Sequence, residues 1–221
     1  MNLRLPLLLC LFLIAFMAAL SAWAWTALPA DAVLPTHWDM HGNVNGTMGK
    51  EWGLLLLPVI ALAITLLLIA VPRIEPRRDN MIASRKPFLA FWIGGLVVLA
   101  VSHALIVGAA LGYPVDIPGV LIIFIPLSIA VGGNYLGKAR PNFFLGIRTP
   151  WTLSSDLSWE KTHRMLGKLF VFSAIIVLAT RFAIGTQAAY LALAGTISAS
   201  AALAIVSSYV FWKHDPARRT N

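Results

Sequence analysis

Six apolar runs dominate the chain: Leu5–Leu28, Gly53–Val71, Phe88–Gly112, Ile117–Gly137, Leu169–Ala183 with its flanks, and Ala188–Trp212. A hydrocarbon core of about 30 Å takes about 20 residues of helix, and within it only helices and closed barrels satisfy every backbone N–H and C=O. Runs of this length predict an all-α polytopic membrane protein with six transmembrane helices. Composition agrees, since 59% of the 221 residues are hydrophobic and only 12% are charged, more apolar surface than a soluble domain of this size can bury. Little chain remains for a soluble domain.

The net charge of +8 raises nucleic-acid binding as a possibility, but its distribution argues for topology instead. If the N-terminus is cytoplasmic, fifteen of the 17 lysines and arginines fall on the cytoplasmic side, leaving Lys50 in an outer loop and Arg181 near the outer end of the fifth helix. This places both termini in the cytoplasm, with membrane lipids as the first partners and no direct nucleic-acid contact. It also defines an outer cap loop, residues 28–52, within a segment 1–87 that holds the first two helices. A four-helix region, residues 88–221, contains the amphipathic inner loop, residues 138–167.

Residues 1–24 have the basic start and the small residues Ala22 and Ala24 of a cleavable signal, but the apolar run exceeds the usual 7–15 residues and ends in Trp23 and Trp25, as an interfacial belt does. An uncleaved first helix is the expectation. Cys10 is the only cysteine, so no intramolecular disulfide forms and helix packing must supply stability. The basic segment 72–87 is read as a topology anchor, and the tail from Lys213 as disordered.

Polar residues that resist this apolar background are the candidates for function. In the cap, Asn45-Gly46 signals a tight turn, Pro35 to Asp39 is expected to be extended, and His37-x-Asp39-x-His41 has strand spacing. That spacing would put three metal-ligating side chains on one face, although a polar loop with aromatic anchoring is the preferred reading, and no metal or cofactor is assigned. His103 lies mid-membrane beside Ser102, either bonded to a neighbouring helix or handling a proton or ligand. Arg181 either anchors the interface or pairs with Asp116, Asp39 or Glu51.

The inner stretch is built differently from a spacer. From Gly132-Gly133-Asn134 to Lys168 it has six cations, Trp151 and Trp159, and the punctuation Gly137, Pro141, Asn142, Gly146 and Pro150. Pro150 forces Thr149 out of the helical region. Asp156, Trp159, Glu160 and His163 follow at helical spacing, predicting a re-entrant or surface-lying amphipathic helix between the fourth and fifth spans. No nucleophile motif, phosphate loop or zinc-protease spacing accompanies them, so no catalytic residue is assigned and the protein is not read as an enzyme.

The order Gly-Asn-x-x-Gly-Lys, Gly-Ile-Arg-Thr-Pro-Trp-Thr-Leu and Trp-x-x-Thr-His-Arg, at Gly133–Lys138, Gly146–Leu153 and Trp159–Arg164, resembles the core of the SdpI family of bacterial integral-membrane immunity proteins. The cap sequence Leu34-Pro35-Thr36-His37-Trp38, with Gly42, Asn45-Gly46 and Lys50, is similar to the small domain of unknown function that often precedes that core. The resemblance covers about residues 28–168. It implies protection against a secreted, membrane-active peptide toxin, and relay of its presence by holding a transcriptional repressor at the membrane. The toxin would meet His37, Trp38, Asp39 and Asn45, and a cytoplasmic partner would meet Asn134, Asn142, Arg148, Trp151, Trp159 and His163. Asn45 stands where an Asp is common, which departs from the pattern at a charge-dependent outer contact. A small-solute or ion transporter using His103 and Arg181 is the alternative.

Overall fold

The computed structural model describes residues 3–39 and 42–218. In chain order it contains α1 (Arg4–Ala27), β1 (Val33–Trp38), β2 (Val44–Gly49), α2 (Lys50–Ile74), α3 (Arg78–Ala83), α4 (Arg85–Ala110), α5 (Ile117–Leu136), α6 (Pro150–Ser154), α7 (Asp156–Ala183) and α8 (Thr186–Lys213). The helices α1, α2, α4, α5, α7 and α8 are each long and apolar enough to cross a bilayer. The protein is an all-α polytopic membrane protein with one added β-hairpin.

One compact unit comprises the chain up to Leu67 together with Gly95–Ile125. Its apolar centre is Ala24, Leu34, Leu54, Ile106 and Val107, with Trp38 and Leu57 packed against it. Leu34 of β1 is fully buried, and a Cβ on Gly53 would lie 2.8 Å from the Leu34 Cβ, so the hairpin sits tightly on the first turn of α2. Lys50 locks the other side by donating to the Leu28 carbonyl (2.6 Å) and resting over the Trp25 ring.

The hairpin turns at Asp39–Asn43 and not at Asn45-Gly46, which lies inside β2. Asp39 decides this, because its carboxylate accepts from the backbone N–H and side-chain amide of Asn43 while its backbone N–H donates to the Asn43 carbonyl. Asn45 is instead recruited across the hairpin, its Oδ1 2.5 Å from Nδ1 of His37. His41 lies outside the described residues. Among the described residues no three potential metal ligands cluster.

The other compact unit comprises Leu68–Gly94 and the chain from Pro126 onward. Here α7 packs along α8, and α6 wedges against both. The helices α5 and α7 touch backbone to backbone, since a Cβ on Gly167 would overlap the Gly133 carbonyl and a Cβ on Gly137 would lie 3.2 Å from the Arg164 Cα. Small residues permit this approach, and close packing is what holds helices together in lipid.

Three expectations are corrected in this unit. The predicted surface-lying helix does not exist as a separate element, because α7 runs unbroken from Asp156 and its first turns continue into the fifth span. Ser155 caps it, its Oγ accepting from the Ser158 N–H. Its apolar face is covered by protein rather than lipid, and Trp159, Thr162, His163 and Leu166 are all buried. The tail past Lys213 is folded as far as it is described, with the Ser155 hydroxyl donating to the Asp215 carboxylate and Arg218 stacked on Trp212. The basic segment after α2 does more than anchor topology, as its contacts with the inner loop show.

Candidate functional site

Residues 137–155 connect α5 to α7, and their path is fixed by polar groups on neighbouring elements and by side chains of the segment itself. Glu75, just after α2, is buried, and its two carboxylate oxygens accept from the N–H groups of Arg77 (2.8 Å) and Phe143 (3.0 Å). The Arg77 guanidinium donates to the Leu153 carbonyl and sits over the Phe143 ring. From α3, Asn80 donates to the Pro141 carbonyl, while Ser84, at its end, accepts from the Arg140 N–H (2.8 Å). A buried carboxylate bonded to two backbone donors is costly to remove, because the donors are left unpaired. Glu75→Ala should therefore lower stability by about 2 kcal/mol and raise hydrogen exchange at the Phe143 amide, whereas Glu75→Gln, which keeps one acceptor, should lose less.

Inside the loop, Asn142 is fully buried and folds the chain around itself: its Oδ1 accepts from the N–H groups of Phe144 and Leu145, and its amide donates to the Arg140 carbonyl. Gly146 then takes φ +108, a conformation that side chains disfavour. Thr149 and Thr152 close a reciprocal capping box at the start of α6, with Pro150 at the first helical position.

The latch of the loop is His163. Its Nδ1 is 2.7 Å from the Trp159 carbonyl, and its Nε2 is 2.9 Å from the Ile147 N–H. A carbonyl can only accept and an amide N–H can only donate, so the ring is neutral with its proton on Nδ1. The ring stacks on Trp159 with centroids 4.0 Å apart, and Trp159 Nε1 donates to the Ala139 carbonyl (2.9 Å). Both rings are buried, so Trp159 and His163 bind the start and the middle of the loop, at Ala139 and Ile147, to α7 rather than meeting solvent.

The expected inner-face residues thus divide by exposure. Asn142, Trp159 and His163 are internal supports; Asn134 and Arg148 are exposed, with Arg148 donating to the Phe143 carbonyl (2.6 Å). Trp151 is half-buried, edge-on to Tyr209 of α8. Phe143 and Phe144, which sequence reasoning passed over, are both exposed large apolar side chains on this loop. On the hairpin, His37 and Asn45 are exposed, while Trp38 faces its apolar cluster. His103 is fully buried, and because the Ser21 hydroxyl donates to the Leu54 carbonyl, Ser21 Oγ accepts from His103 Nε2 (2.9 Å). Arg181 is in the last turn of α7.

The tail adds a pH-dependent contact. Hydrogen bonds from the Ser155 hydroxyl and the Ala217 N–H hold the Asp215 carboxyl below the usual carboxylate range. A carboxylate depressed in the folded state contributes stability that is present above its ordinary value and lost as pH falls through the lowered one. The docked tail should consequently release on strong acidification, read as a change at Trp212, and Asp215→Asn should remove the pH dependence.

A helical membrane protein with a rigid, aromatic- and cation-rich loop between two of its spans is the class that these features define. Comparison with known sequences narrows it: residues 138–211 match the SdpI/YfhL protein family, and residues 12–62 match a domain of unknown function, DUF1648. This chain is therefore a multi-pass membrane protein in which a region similar to the SdpI/YfhL family follows a region similar to DUF1648. The two matches extend beyond residues 28–168 at both ends, into α1 and α8, and leave residues 63–137, with Gly133–Gly137 of the first core motif, outside them. The chain is 25% identical over 186 residues, 81% of its length and 84% of the relative's, to the Immunity protein SdpI of Bacillus subtilis (strain 168). No solved structure matches it.

Proposed function

We propose that this protein is an immunity protein of a bacterial cytoplasmic membrane that protects its host against a membrane-active peptide toxin. The observation that carries the reading is the similarity to a relative named an immunity protein along most of both chains. The charge asymmetry supports an orientation with both termini and the 138–167 loop in the cytoplasm and the hairpin outside. In this reading the hairpin edge formed by the exposed His37 and Asn45 and the half-buried Asp39 meets the toxin, with Trp38 seating it. The cytoplasmic loop, held by Glu75, Asn142, Trp159 and His163, presents Arg148 and the exposed Phe143 and Phe144 to a partner such as a transcriptional repressor. Arg148→Ala should abolish protection of a toxin-challenged host while membrane insertion is retained; unchanged survival would remove the loop from the mechanism.

A second reading, transport of a small solute or ion, is favoured by one feature. His103 Nδ1 is buried without a hydrogen-bond partner among the described residues, and intramembrane ionisable groups often mark proton or substrate paths. Substrate-dependent flux in proteoliposomes, lost in His103→Ala, would support it over immunity.

A further inference from the structure

The contact between α5 and α7 leaves a groove of about 710 Å³ along their seam, because Gly133 and Gly167 bring the backbones together without side chains to fill the edge. One end of the groove is polar. Arg164 and Lys168 lie four residues apart on α7, hence on one face of it, and Asn134 faces the same groove from α5. The other end is apolar, since the α7 residues that line it further along are Phe172 and Ile175, both more than half exposed. From Lys168 to Ile175 is roughly 10 Å along the helix axis.

We propose that this groove is a binding site for one anionic phospholipid, its phosphate held by Arg164, Lys168 and Asn134 and the start of an acyl chain laid over Phe172 and Ile175. Charge complementarity argues for an anion. Lys168 has no hydrogen bond or ion pair among the described residues, and Arg164 commits a single guanidinium nitrogen, Nη2, to Glu160 (2.5 Å), leaving its other donors for a phosphate. Basic pockets between membrane helices at headgroup depth select anionic lipids by this chemistry. The apolar continuation selects a lipid over free phosphate, which has nothing to bury there. The volume suits a headgroup and the first part of a chain, being within the range of small-molecule sites.

The test is native mass spectrometry of the whole protein released from nanodiscs of equal parts phosphatidylglycerol and phosphatidylethanolamine. The wild type should retain phosphatidylglycerol selectively, and Arg164→Gln and Lys168→Gln should each lower retention about fivefold, more when combined. Both side chains are exposed, so folding is preserved, and circular dichroism checks it. The paired control Lys161→Gln with Lys213→Gln, equal in charge but outside the groove, should leave retention unchanged. Inorganic phosphate should not displace the lipid. Equal losses in the control, displacement by phosphate, or no preference between the two lipids would each overturn the site.

Discussion

Replacing Gly146 by alanine should unlatch the 137–155 loop. Gly146 has φ +108, and a Cβ there would overlap Nε2 of His163, the atom that accepts from the Ile147 N–H. Two penalties combine: a side chain in the left-handed region costs about 1–2 kcal/mol, and displacing the imidazole leaves a backbone donor unpaired at about 1–3 kcal/mol. The expected total of about 3 kcal/mol corresponds to roughly a hundredfold rise in hydrogen exchange at the Ile147 amide. In a Gly146→Ala/His163→Ala pair the two losses should be less than additive, because His163→Ala already removes the acceptor that the Gly146 Cβ displaces, and that non-additivity distinguishes a latch from general loop damage. Unchanged exchange in Gly146→Ala would show that His163 does not hold the loop.

Replacing Gly167 by valine should have a comparable effect by a different route. The new Cβ would overlap the Gly133 carbonyl oxygen on the facing helix, and neither backbone can yield without separating α5 from α7. Overpacking of this kind typically costs 1–3 kcal/mol, and a β-branched side chain at a backbone contact belongs near the upper end. A melting temperature in detergent lowered by several degrees is expected. Gly95→Val provides the control, since nothing lies within 4 Å of a Cβ at that helical glycine. If both variants melt alike, the close approach of the two helices is not what stabilises this unit. The Gly167 variant should also reduce anionic-lipid retention, because the groove edge is set by that approach.

The six spans were legible from the apolar runs because length alone decides whether a segment crosses a bilayer, and no tertiary partner is needed to make that argument. Local turn chemistry was legible too: Asn142, Gly146 and Thr149-Pro150 behave as their types dictate. The devices that depend on distant partners were hidden. Glu75 lies 68 residues from Phe143, and Asp215 lies 60 from Ser155, separations across which no periodicity speaks. The first turns of α7 were misjudged for a related reason. Their amphipathic pattern asks for an apolar cover, and the pattern cannot tell a lipid surface from a folded loop wrapped by Trp159 and His163. The hairpin turn was misplaced because Asn-Gly is a strong general signal, whereas the competing closure by Asp39 and Asn43 depends on two side chains meeting in space.

The reading as an immunity protein ties these features to one outcome, survival of a membrane under attack. The most direct measurement is growth and membrane potential of a toxin-sensitive bacterial host that expresses the protein, challenged with membrane-active peptides. The account predicts retained potential and survival against at least one peptide, lost in Arg148→Ala at equal membrane abundance. Collapse of the potential under every peptide, with the wild-type protein inserted and folded, would contradict it.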